Sequence, residues 1–308
     1  MLTSFRRAAA LAAEVSGLEP HFAAEIGALE HWLEACSETP PQLPPVLIAA
    51  RKAATASAWS IGVSQWNRVA DGRLALLRQV QRDRPLVLAL LELFAADFSN
   101  SALPSGLDAA GATFPGHLIL VRARLGGPLR LDGARCMASV FAGGMTTEHE
   151  LTADQAQFTG PARFDEMRVA RAARFAFATF MSEASFDGSV FQRELWMRHA
   201  RFGGAFRMSR ADARHDASFG CHFAGPASFD GTRFADTVSF ESATFEGPLS
   251  LNGCRFDGLV LVEGMRALND VCGVGAVFNG GVRPPIDLLR RGLTVRDLTA
   301  SLRDAFSR

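Results

Sequence analysis

Apolar residues along the middle of this chain recur at a spacing that belongs to neither a helix nor a sheet strand. From Phe114, steps of eleven land on Leu125, Cys136, Thr147, Phe158, Val169, Phe180, Phe191, Phe202 and Ala213. A second series, six residues out of step, runs through Leu120, Leu131, Ala142, Ala153, Phe164, Phe175, Phe186, Met197, Met208 and Phe219. One residue is lost near Gly220 to Phe223, after which Phe223, Phe234, Phe245 and Phe256 interleave with Phe229, Phe240, Leu251 and Val262. The 28 centres are therefore separated alternately by six and five residues. An amphipathic helix needs a period near 3.6 and a half-buried strand alternates over a longer run, so both fail.

The position two before each centre is almost always small or aliphatic, as at Ala112, Leu118, Ala162, Ala184, Ala227 and Leu249, with Ser189 and Thr232 the only polar occupants. Between these two inward positions stands a tolerant, mostly polar one, and glycine often follows two after the centre. Such a chain turns a corner every five or six residues. The large residue fills the interior, the small one lets the backbone pass close to it, and glycine relieves the corner, which describes a solenoid.

The units Ala162-Arg163-Phe164-Asp165, Ala184-Ser185-Phe186-Asp187-Gly188, Ala227-Ser228-Phe229-Asp230-Gly231 and Ala243-Thr244-Phe245-Glu246-Gly247 resemble those of the pentapeptide-repeat family. The resemblance covers about residues 112–262. It implies a right-handed quadrilateral β-helix, four units to a coil, with stacked rings inside. The extra residue in alternate units, often Gly-Pro as at Gly160-Pro161, departs from the family pattern and predicts about 22 residues per coil and roughly seven coils. The expected core is Phe158, Phe164, Phe175, Phe180, Phe186, Phe191, Phe202, Phe219, Phe229, Phe234, Phe240, Phe245 and Phe256. Residues 142–153, where Ala142, Thr147 and Ala153 replace large centres, are expected to be the least regular stretch.

Upstream, residues 4–15, 20–36, 45–70 and 72–97 carry Ala, Leu and Glu or Arg at helical spacings, broken by Pro20, by the run Pro40 to Pro45 and by Arg84-Pro85. The predicted organisation is an all-α domain over 1–105, the β-helix over 106–265 and a short helical segment over 266–308. In that last segment Thr294 and Asp297 resemble a capping box ahead of one apolar stripe of Val295, Leu298, Leu302 and Phe306. The stripe needs a surface to bury against. It either caps the end of the coil stack or forms a homodimer, as similar helices do in some pentapeptide-repeat proteins.

Composition sharpens this picture. The chain has 308 residues, 48% of them apolar and 21% charged, enough for substantial packed cores. Its 24 Phe against no Tyr suit a dry interior, because a buried phenol needs a hydrogen-bond partner that a plain ring does not. Net charge is zero, so there is no global case for nucleic acid, and direct binding to it is not expected. Charge varies along the axis: residues 163–214 hold ten Arg against six acids, and 215–263 hold two Arg against seven. Five cysteines without metal-ligand or disulfide spacing read as reduced thiols of a cytoplasmic protein. Arg6 and Arg7 precede an alanine-rich run that is too short, and interrupted by Glu14, to read as a leader. The longest apolar stretch, 85–96, contains Glu92 and is too short to cross a bilayer, so no membrane segment is expected.

No phosphate-binding glycine loop, nucleophile elbow or zinc-protease motif is present. A hexapeptide-repeat acyltransferase would need a strict spacing of six. His117, His149, His199, His215 and His222 fall mostly at outward positions, and Cys136, Cys221 and Cys254 at inward ones, so the reading is of no catalytic residue, metal or cofactor. Function is expected on the outer surface. Arg precedes the centre in ten of the 28 units but is spread over the four expected faces, with Arg124 and Arg168 on one, Arg130 and Arg174 on a second, Arg135 and Arg201 on a third, Arg163 and Arg207 on the fourth. Outward apolar residues are rarer: Phe141, Val190, Trp196 and Leu261. The candidate partner surface is Val190, Arg193, Trp196, Arg198 and Arg201, unless the helical region folds back over Trp196. The expected function is a non-enzymatic protein–protein interaction scaffold with an unidentified protein partner. The alternative, drawn from the resemblance, is a mimic of duplex DNA that protects or inhibits a type II topoisomerase, for which only residues 215–263 approach the acidity needed.

Overall fold

The structure, a computed structural model, describes residues 45–60 and 62–283. Helices α1 (Pro45–Trp59), α2 (Val63–Gln79) and α3 (Arg84–Leu93) precede 35 two-residue strands that run from Ala96–Asp97 to Val282–Arg283. The helical pattern expected over 45–70 is broken at Gly62, φ +92°, and the helix that follows runs through the expected boundary at 71 to Gln79. Pro85 lies in the first turn of α3, where its missing N–H is no loss. The helical patterns at 4–15 and 20–36 and the C-terminal stripe of Val295, Leu298, Leu302 and Phe306 lie outside the described residues.

The strands stack into four parallel sheets of nine, nine, nine and eight. The first face runs from Ala96–Asp97 to Val271–Cys272, the second from Ala102–Leu103 to Val277–Phe278, the third from Leu107–Asp108 to Val282–Arg283 and the fourth from Thr113–Phe114 to Arg266–Ala267. Each strand pairs with its equivalent one coil on, Leu118 with Val140 and Thr113 with Arg135, which fixes the 22-residue coil. There are about nine coils rather than seven, with strands on both sides of the expected limits 106 and 265. The end coils were hidden because Ala109, Ala267 and Gly273 stand where a large centre would mark the spacing.

The six/five alternation decides which residue of each strand faces in. On the first and third faces it is the leading residue, as at Ala162 and Leu195; on the second and fourth it is the trailing one, as at Phe234 and Phe180. All thirteen expected core phenylalanines are 3% exposed or less. Behind the fourth face Phe158, Phe180, Phe202, Phe223 and Phe245 form a ladder with successive centroids 4.6, 4.8, 5.0 and 4.6 Å apart. The ladder crosses the lost residue unbroken, since Arg201 pairs with His222 while the corner tightens through a Cys221 N–H bond to the Phe219 carbonyl.

Corners are of two kinds. Those that follow the first and third faces contain a left-handed residue, such as Gly133 at φ +62°. The residue before it is often Asp or Asn, whose carboxylate or amide oxygen accepts the equivalent backbone N–H one coil on: Asp187 N–H on Asp165, Ser209 N–H on Asp187, Asn252 N–H on Asp230 and Val274 N–H on Asn252. This is what the Phe-Asp and Phe-Asp-Gly elements of the sequence do. Glycines of the corners that follow the second and fourth faces have another cause: a Cβ on Gly160 would lie 2.7 Å from the carbonyl carbon of Ala138 in the preceding coil.

The inward polar residues are all satisfied. Ser189 Oγ donates to the Phe164 carbonyl at 2.6 Å, Thr232 donates to Met208, and the Cys221 and Cys254 thiols donate to Met197 and Phe229. Residues 142–153 are not irregular, contrary to expectation. Their strands keep register on both sides, and buried Thr147 donates to the Gly127 carbonyl at 3.0 Å, so a hydroxyl with a backbone partner replaces a ring without disturbing the stack.

The three helices seal the first coil. Trp66 Nε1 donates to the Thr113 carbonyl at 2.7 Å, and the Asn67 side chain donates to Gly111 and accepts from the Thr113 N–H. Thr55 accepts the Asp97 N–H, and Lys52 donates to the Ser99 carbonyl. These are the edge groups that an uncovered coil would leave unpaired. Arg51 binds Asp97 at 2.7 Å and Glu92 at 2.9 Å, and Trp59, Trp66, Phe98 and Phe114 form one ring cluster, so helices and solenoid share a core.

Candidate functional site

The structure spreads the five residues of the expected partner surface around one coil. Val190 lies on the second face, Arg193 on the corner after it, Trp196 on the third face, Arg198 on the next corner and Arg201 on the fourth face. A flat patch cannot hold all five. Trp196, Arg198 and Arg201 stand on and to either side of one corner, that between the third and fourth faces. The described helices sit on the first coil and do not cover Trp196, which is 41% exposed with Arg174 5.9 Å above its ring.

Two residues that sequence reasoning missed complete this region. Phe177, 59% exposed, stands on the same corner one coil earlier and stacks on His199 at 4.9 Å. Met181, 63% exposed, stands at the far edge of the fourth face on the coil of Phe177. The signal was available: Phe177 follows the centre Phe175 by two, where glycine or a polar residue is the rule. Eight non-glycine residues in the described chain have positive φ, and Phe177 at φ 59° is the only apolar one. A bulky side chain in the left-handed region costs about 1 kcal/mol relative to glycine, which occupies Gly111, Gly133 and Gly264 of the same corner column. Among described residues the other exposed large apolar side chains lie at the ends of the rod: Leu88 in α3, and Leu268, Val274 and Val277 in the last coil.

Phe141 and Leu261, the other outward apolar residues of the sequence, are half-buried, and Phe141 packs 5.5 Å from the His117 ring. His117 itself is covered by α3, accepts the Ser139 N–H and faces Glu92 at 3.6 Å. Burial outweighs Glu92 and holds its pKa below the ordinary 6.5. Burial likewise pushes the Cys136 and Cys254 thiols up to about 12, away from nucleophilic use. Among the described residues no group of three His, Cys, Asp or Glu is placed to hold a metal ion, and no helix is long and apolar enough to cross a membrane.

The arginines fall on four faces as the coil length requires, in the pairs expected. Many are neutralised where they stand: Arg130 by Asp108, Arg174 by Asp154, Arg207 by Asp187, and Arg233 and Arg255 by Asp257. Arg135 and Arg201 on the fourth face have no ion-pair partner among the described residues, and Arg198 meets only the Ser218 hydroxyl at 3.0 Å.

A family model described as pentapeptide repeats, with 9 copies, matches residues 153–201 and 219–265. No curated protein and no solved structure matches the chain. The coils before 153 and after 265 lie outside the family match but continue the same four sheets.

Proposed function

We propose that this chain, a pentapeptide-repeat protein, is a non-enzymatic scaffold for protein–protein contacts, a rigid rod that presents its outer faces to a partner. One observation carries the reading: Phe177, Met181 and Trp196, on two successive coils, are exposed at mid-rod, whereas the other exposed large apolar side chains among the described residues lie at the ends of the rod. Exposed aromatic residues beside arginine are what interface centres enrich. The topoisomerase-directed DNA mimic is disfavoured by the distribution of acids. A duplex mimic needs continuous rows of carboxylates, whereas Asp230, Asp236, Glu241 and Glu246 occupy four different corners and Asp257 is held by Arg233 and Arg255.

The test is affinity capture of the full chain from its own cell extract, followed by reconstitution of the retained protein. A stoichiometric complex is expected, together with no effect of the chain on gyrase supercoiling or on its inhibition by drugs. Recovery of no stoichiometric partner would sink the scaffold, and gyrase inhibition or protection would replace it with the mimic.

A further inference from the structure

The corner between the third and fourth faces joins apolar exposure to unspent positive charge. Phe177 and His199 form a short stacked ridge along the axis, with Trp196 on one flank and Arg201 on the other. The ridge sits where the ladder of aspartates on this corner stops. Asp132 is spent on the Thr152 hydroxyl and the Asp154 N–H, and Asp154 on Arg174 and the Ala176 N–H. On the next two coils the same position holds Ala176 and then Arg198, so carboxylate gives way to cation beside the rings. From Thr113 to Thr244 the outward strand positions of the fourth face, which include Arg135, Gln157, Thr179, Arg201 and His222, contain no acid.

From these observations we propose that the ridge and the fourth face beside it dock an acidic protein segment, one in which Asp or Glu residues bracket an aromatic or aliphatic side chain. The apolar residue packs against Phe177, His199 and Trp196. The carboxylates meet Arg135, Arg198 and Arg201, three guanidinium groups with no carboxylate of their own among the described residues. This partner chemistry rests on the scaffold reading and narrows it. Single-stranded nucleic acid also combines stacking with cations, but it needs a charged groove that tracks a phosphate chain. Arg135 and Arg201 are separated by three strand spacings, about 14 Å, on a flat face. Such isolated cations fit spaced carboxylates better than a continuous polyanion.

The ridge residue is also the wrong residue for the fold. A positive φ at an exposed corner favours glycine, and Phe177 keeps its ring there against that preference. Strain kept at a surface position, with the His199 ring as the only aromatic contact, points to use.

Random dodecapeptides displayed on phage and panned on the full chain test the assignment. Enriched sequences are expected to carry Asp or Glu around a Phe, Trp or Leu. A synthetic peptide of the enriched sequence should lose affinity about tenfold or more on Phe177→Gly, and likewise on the double variant Arg135→Glu/Arg201→Glu. All three changed positions point outward, and an unchanged circular dichroism melt verifies that the variants fold. Enrichment of neutral or basic peptides, absence of enrichment, affinity indifferent to both variants, or tighter binding of a twenty-nucleotide oligo-dT would each overturn the site. A partner captured from extract that binds both variants as well as the parent overturns the site while leaving the scaffold intact.

Discussion

Phe180 and Phe177 are three residues apart on one coil and do opposite work. Phe180 is 1% exposed and stacks between Phe158 and Phe202, whereas Phe177 is 59% exposed and touches His199 at the surface. The inner ring obeys the repeat, and its neighbours one coil away are the same residue type because identical rings stack best at a strand spacing. The outer ring breaks the repeat. In a solenoid every inward position is answerable to the coils on both sides, so variation is pushed outward. Where an exposed outward residue departs from the small, polar or glycine norm, the stacking of the coils is not the reason.

The sharpest way to break this contrast is to remove an inner ring. Phe180→Ala should cost about 3 to 5 kcal/mol, since the hole is walled by Phe158 and Phe202, whose backbones the sheet ladder holds in place. Urea unfolding checks this. A loss below about 1 kcal/mol would mean that the stack relaxes into the space and that the ladder is not the source of rigidity.

A smaller effect is expected at the seam where the solenoid meets its helical seal. His117 is half-buried there beside Glu92, Arg51 and the Phe141 ring, and its pKa lies below 6.5 because desolvation disfavours the imidazolium more than Glu92 favours it. The unfolded chain therefore takes up this proton at a higher pH than the folded one. The associated stability is complete above 6.5 and is lost as pH falls from 6.5 through the folded value. The melting temperature should fall across that window, and less so in His117→Gln, which cannot titrate. A melting temperature that rises on acidification would show that Glu92 dominates and that the imidazolium is the folded form.

The interior was readable because it repeats. The spacing of Phe158, Phe180 and Phe202 fixed coil length and face, and with them the face of every arginine pair. What the spacing could not reach were the end coils, whose centres Ala109, Ala267 and Gly273 carry no size signal. Thr147 was misjudged for a related reason, since a hydroxyl that donates to the Gly127 carbonyl serves inside as well as a ring. At the surface the sequence points to Trp196 and its neighbouring arginines together with Val190 and Arg193, although residues adjacent along a coil are divided between faces by its corners. Phe177 escapes the spacing of the strand positions because it stands at a corner, where backbone conformation rather than burial selects the residue.

The smallest effect on stability is expected at that corner. Phe177→Gly removes a ring that shields little and relieves a left-handed residue, while glycine adds some freedom to the unfolded chain. The two backbone terms oppose each other, and the variant should unfold within about 1 kcal/mol of the parent, on the stable side if the relief of strain is the larger. Urea unfolding alongside Phe180→Ala then separates the two rings by at least about 2 kcal/mol, while binding separates them in the other direction. If Phe177→Gly instead unfolded as easily as Phe180→Ala, the exposed ring would be holding the corner, its departure from the repeat would have a structural cause, and the contrast between inside and outside would collapse.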